Sequence, residues 1–147
     1  MPEAAQQIVV GIDGSDSSMV ALRWAADEAQ LRQATLAVVH AWTDSSVGAG
    51  THASAFSVDL DQAQQDAQST LDDLLDTAAL SPDVRIERHV LMGPAATVLL
   101  DVAVAADLLV VGSRGRGGVA GLLLGSVSHA CMKDATCPVV VIPDGAS

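Results

Sequence analysis

Aromatic side chains are nearly missing from this chain of 147 residues, which has two Trp, one Phe and no Tyr. With half of the residues hydrophobic, the core has to be assembled from Ala, Val, Leu and Ile. Such side chains fit the narrow space between parallel strands and the helices that cover them. Basic residues are scarce as well: seven Lys and Arg stand against 18 Asp and Glu, for a formal net charge of −11. A surface of that sign repels phosphate backbones and anionic bilayers, so neither a nucleic acid nor a membrane is expected as a partner. The one lysine, Lys133, is followed by Asp134, which excludes the G-x4-G-K-[ST] phosphate loop. The two cysteines, Cys131 and Cys137, have a C-x5-C spacing that matches no common zinc or redox motif. They read as small buried hydrophobes in a reducing compartment. His40, His52, His89 and His129 show no i, i+4 pair, so no metal site is expected. No apolar run is long enough to span a bilayer, and the first residues lack the basic and apolar regions of a signal peptide. These absences point to a soluble cytoplasmic protein, and the length suits one domain over residues 1–147.

What is present is an alternation of short apolar runs and helical periodicities. Residues 8–12 read as a buried strand that ends in Gly11-Ile12-Asp13-Gly14-Ser15. Asp16, Ser17 or Ser18 is then expected to cap a helix running to Arg32, with Leu22, Ala25, Ala26 and Ala29 on one face. Residues 35–41 form a second strand, and 42–57, rich in Gly, Ser, Ala and Thr, read as a surface loop. Residues 58–77 have an apolar face and an opposite face carrying Asp61, Asp66, Asp72, Asp73 and Asp76. Acids dispersed in that way make a solvated helix surface. A third strand is expected over 84–90, a helix buried on nearly all sides over 95–106, and a fourth strand over 107–111. A glycine-rich loop over 112–121, a helix over 122–135 and a fifth strand over 138–142 complete the series. Strands alternating with helices imply an α/β fold: an open five-stranded parallel sheet with helices on both faces, Rossmann-like.

The loop after the fourth strand carries the chemistry. Six glycines, Gly112, Gly115, Gly117, Gly118, Gly121 and Gly125, fall within 14 positions. Glycine lets backbone N–H groups approach a phosphate without a Cβ in the way. Gly125-Ser126-Val127-Ser128 lies where a helix begins or completes its first turn, and free N–H groups with the positive dipole end favour anions there. Arg114 and Arg116 add positive charge. A dinucleotide fingerprint is only weakly present, as Gly115-x-Gly117-x-x-Ala120; it follows the fourth strand, and no acid lies about 20 residues on in the expected strand-end context. A loop without a ligand is the other reading of the glycines alone.

The spacing Gly112-x2-Gly115-x9-Gly125-Ser126 resembles the ATP-binding signature of the universal stress protein family. The resemblance continues through residues 11–15, His40-Ala41, Gly93-Pro94 and the final run from Cys137 to Pro143. In Gly93-Pro94 the one-residue spacer usual in the family is missing. The resemblance implies the fold of the adenine nucleotide alpha hydrolases and a set of ligand contacts. Asp13 would hydrogen-bond the ribose, with Gly11 and Ile12 as the neighbouring wall. Ala41 would present backbone groups to the adenine edge. Gly112, Ser113 and Gly115 would lie under the ribose and α-phosphate, with Arg116 close by. Gly125, Ser126, Val127 and Ser128 would hold the phosphates.

The cofactor implied is ATP. Mg2+ would bridge its phosphates, although no protein carboxylate cluster is set aside for it. No positioned acid, base or nucleophile accompanies the loop except His129, which is expected to face solvent. The expectation is therefore a nucleotide-binding regulatory protein of the stress response without catalytic residues. A slow ATP hydrolase or phosphoryl-transfer enzyme, or a cyclic AMP-binding protein of the same fold, is the alternative. The uncharged strand over 138–142 is expected at a sheet edge, pairing with a second copy to form a homodimer.

Overall fold

A run such as Ile8, Val9 and Val10, all wholly inaccessible to solvent, needs apolar cover on both sides, and the structure supplies it. The computed structural model describes residues 6–43, 59–114 and 124–143. The elements in chain order are β1 (Gln7–Gly11), α1 (Asp16–Arg32), β2 (Thr35–Trp42), α2 (Leu60–Ala78) and β3 (Arg85–Met92). They continue with α3 (Ala95–Val102), a 3₁₀ turn (Ala103–Ala105), β4 (Leu108–Gly112), α4 (Ser126–Asp134) and β5 (Val139–Ile142). All four strand pairings are parallel, in the order β3-β2-β1-β4-β5. The chain winds outward from β1 through β2 to β3, then returns to the other side of β1. The switch point of the sheet therefore lies between β1 and β4, where open α/β sheets leave a crevice at their C-terminal ends.

Alternation along the strands sends side chains into two cores. Ile8, Val10, Leu36, Val38 and Val110 meet Leu22, Ala25 and Ala29 of α1 and Leu71 and Leu75 of α2. Val9, Ala37, Val39, Leu109 and Val111 meet Val98 and Leu99 of α3 and Cys131 of α4. The expected face of α1 is the observed one: Leu22, Ala25, Ala26 and Ala29 are all buried. The five acids expected on the solvated face of α2 are all exposed.

Four expectations need correction. The cap of α1 is Ser15: its backbone is extended (φ −68°, ψ 156°) and its hydroxyl accepts the Ser18 N–H. β2 continues to Trp42, whose carbonyl accepts the Gly93 N–H at 2.8 Å. The helix over 95–106 is shorter and half-exposed. It gives way to the 3₁₀ turn after Val102, and only Val98, Leu99 and Ala103 are buried while Val104 is 66% exposed. It covers one flank of the sheet with one side, and its other side meets water. The last helix starts at Ser126, because the extended backbone of Gly125 (φ −74°, ψ 170°) cannot belong to a helix begun earlier. The expected loop over 42–57 and the middle of the glycine-rich loop lie, beyond Trp42, Thr43 and residues 112–114, outside the described residues.

Both cysteines are free. Cys131 is fully buried, and burial, with a smaller contribution from neighbouring Cys137, pushes its thiol up to about 11. Cys137 is only partly buried; burial raises its pKa as well. Such thiols stay protonated at neutral pH and pack as hydrophobes. No helix among the described residues is long and apolar enough to cross a membrane.

Candidate functional site

At the switch point the C-terminal ends of β1, β2 and β4, with α3 and the start of α4, enclose a cleft with about 510 Å³ of empty space, part of it open to solvent. Its apolar wall is made by Ile12, Val39, Val111 and Val127, with Ala95 and Leu99 of α3 as the floor. Two glycines allow close packing at its border. A Cβ on Gly11 would stand 2.6 Å from Leu99 Cδ1. On Gly112 it would stand 2.9 Å from the carbonyl carbon and oxygen of Ser17, so β4 lies directly on the first turn of α1.

Asp13 enters the cleft from the β1–α1 connection. Gly14, at φ 85°, turns the chain there. The Asp13 Oδ1 accepts from the Ser15 N–H at 2.9 Å and from the Ser15 hydroxyl at 2.5 Å. Ser18 Oγ accepts the Asp13 N–H at 3.2 Å and donates to the Ser15 carbonyl at 2.9 Å. Asp13 is thus a turn residue as well as a cleft residue, and the turn fixes the direction of its carboxylate.

Backbone alternation places Ala41. The Val39 carbonyl accepts from Ile12 N at 2.9 Å, toward β1, and the Trp42 carbonyl accepts from Gly93 N, toward β3. In an extended strand the N–H and C=O of one residue point to the same side, and successive residues alternate. Ala41 therefore turns its N–H and C=O to the β1 side. The β1 ladder ends two residues earlier, at the Gly11–Val39 pair, so no β1 residue stands opposite Ala41. A donor and an acceptor of the backbone face the crevice.

The start of α4 forms the other end of the site. Gly125, its N-cap, has no side chain to satisfy the first-turn N–H groups, which point outward with the positive end of the helix dipole. Ser126 is exposed there. The Ser113 carbonyl accepts from Gly125 N at 2.6 Å, and Ser113 N donates to Ile142 O at 2.8 Å, so β4, β5 and α4 are joined at one point. The Arg114 N–H donates to Ser17 Oγ at 3.4 Å, and Arg114 lines the cleft.

Of the residues expected in a site, Gly11, Ile12, Asp13, Ala41, Gly112, Val127 and Ser128 line this one cleft. Ser113 is buried behind it at 5% exposure. Gly115 and Arg116 lie outside the described residues. Ser128 lines the cleft, but its hydroxyl hydrogen is directed to the carbonyls of Ser113 (3.2 Å) and Gly125 (3.1 Å). In that arrangement it ties the loop to the helix and offers no donor outward. His129 is exposed, as expected. Among the described residues no group of three or more His, Cys, Asp or Glu is arranged to hold a metal ion. Sequence reasoning missed the α3 floor, Ala95 and Leu99. The only available signal was the pairing of small and large apolar residues four apart.

Comparison with known proteins bears on the family and the fold. The model of the universal stress protein family matches residues 5–143. A universal stress protein of Mycobacterium tuberculosis (strain H37Rv) is 41% identical over 135 residues, 91% of this chain and 44% of its own length. The chain thus spans less than half of that relative. Among solved structures, universal stress protein UspA from Lactobacillus plantarum superposes with a TM-score of 0.77 at 24% identity, covering 95% of this chain and 99% of its own. A universal stress protein solved in complex with cAMP gives a TM-score of 0.63 at 30% identity, covering 95% and 98%.

Proposed function

The chain belongs to the universal stress protein family, and from that premise we propose that it binds an adenine nucleotide, ATP, and acts as a regulatory protein without turnover of its own. One observation carries the reading. A single cleft joins an apolar slot, the inward-facing backbone donor and acceptor of Ala41, the oriented carboxylate of Asp13 and the uncapped start of α4. Adenine needs one donor and one acceptor beside an apolar wall, the ribose hydroxyls need an acceptor, and phosphates need N–H donors at a positive helix end. Arg114 adds the positive charge that the rest of the chain withholds, and Mg2+ accompanies the phosphates from solvent. Gly115 and Arg116 complete the phosphate side in this proposal.

Likeness to a family member solved with cAMP supports a second occupant, the cyclic nucleotide, at the same place. The proposal includes a homodimer through β5 and a cytoplasmic setting, where free thiols such as Cys131 and Cys137 persist.

Ser126→Ala tests the phosphate end. The side chain is exposed, so the fold should be unaffected. Losing one hydrogen bond to a charged acceptor should weaken ATP about tenfold by calorimetric titration. An unchanged affinity for ATP would remove Ser126 from the phosphate site.

A further inference from the structure

Trp42 and Gln64 are joined by a hydrogen bond of 2.6 Å from the indole Nε1–H to Gln64 Oε1. The other end of the same amide donates from Nε2 to the Val90 carbonyl at 2.8 Å. An indole nitrogen only donates and a carbonyl only accepts, so the two partners fix which way the amide points. Gln64 thereby ties α2 to the last residue of β2 and to β3 at once. The Trp42 carbonyl is held by Gly93 N as well. On the other side of Ala41, His40 Nδ1 stands 3.1 Å from the Ile12 carbonyl, as a donor to it. Both neighbours of Ala41 are therefore clamped, although no β1 residue pairs with Ala41 itself.

We propose that Gln64 is a positioning residue for the base end of the cleft. Through Trp42 it sets where the N–H and C=O of Ala41 stand, and it touches no ligand. This rests on the reading of the cleft as an adenine-nucleotide site. A strand end that outruns its neighbour loses one row of ladder bonds and frays unless side chains hold it. Ala41 lies on such an end with respect to β1, while β3 pairs along its other side as far as Trp42–Met92. Trp42 faces α2 while Ala41 faces the crevice, so gripping the indole restrains the peptide from the side that leaves the cleft open.

The test compares ATP with inorganic tripolyphosphate, which has no base, on the full chain by calorimetric titration, with a melting curve for each variant. Gln64→Leu removes both bonds; Gln64→Glu keeps the acceptor for Trp42 and loses the donor to Val90. Gln64→Leu should raise the dissociation constant for ATP about tenfold and leave that for tripolyphosphate within about twofold. Gln64→Glu should fall between the Leu variant and the parent, and it carries the test alone if Gln64→Leu does not fold. Parallel weakening of ATP and tripolyphosphate would mean a general structural role and overturn the inference, as would an unchanged ATP constant in both variants. A parent protein that takes up no ATP would overturn the nucleotide reading itself, and this inference with it.

Discussion

Gly112→Ala is expected to destabilise the protein by about 1–3 kcal/mol and to weaken nucleotide binding with it. The added Cβ meets the Ser17 carbonyl group at 2.9 Å, so the obstacle is backbone and cannot rotate away. Either β4 or the first turn of α1 has to move. Both border the cleft: β4 leads into Ser113, which fastens β5 and α4, and α1 follows the Asp13 turn. Gly11→Ala makes a useful contrast. There the Cβ meets the tip of Leu99, a side chain that can adopt another rotamer. Its stability loss should be the smaller of the two, while the displaced Leu99 intrudes on the floor of the cleft. Urea denaturation of the two variants ranks them. A Gly112→Ala protein as stable as the parent would mean that the close approach of β4 to α1 is not real.

Val141→Lys is expected to turn the proposed dimer into a monomer at tens of micromolar, read by light scattering. β5 is an edge strand, and among the described residues no strand pairs with its outer side. Val139 and Val141 are partly exposed beside Met132, which is 54% exposed. Uncharged edges of this kind invite pairing with another strand. Val141 sits toward α4, whereas Val140 points the other way, against the α1 side of the sheet. A lysine at 141 can therefore reach water in the monomer, and a lysine at 140 should cost stability as well. A parent protein that is already monomeric at that concentration would reject the pairing through β5.

Much of this arrangement can be read in the chain before any coordinates. The runs in β1 and β4 are apolar because both faces of a central parallel strand are covered, and they and the apolar run of β5 appear within one or two residues of their expected places. Asp13 and Gly112 stood out from glycine spacing and from the resemblance it carries, whereas the start of α4 was expected at residue 122 and lies at Ser126. The misses have physical causes. Ser15 was passed over as the cap because Asp16, Ser17 and Ser18 are equally good capping types; only the turn at Gly14 decides among them. The exposure of Val104 depends on how far α3 extends past the sheet, which hydropathy does not report. Trp42 was assigned to the loop since the composition after it is loop-like, and the pairing that keeps it in β2 comes from β3, far along the chain, through Met92 and Gly93. The outward turn of the Ser128 hydroxyl was expected from residue type, whereas two nearby carbonyls take its hydrogen.

The central claim is that an adenine nucleotide occupies the cleft between β1 and β4, and thermal unfolding with added nucleotide tests it most directly. A ligand bound to the native state alone adds about 2.7 kcal/mol when it is 100-fold above its dissociation constant. For a chain of this size that raises the melting temperature by roughly 5–10 °C. ATP should produce the rise, with cyclic AMP measured beside it as the second occupant. A melting temperature that stays flat across millimolar ATP, ADP, AMP and cyclic AMP would contradict the account.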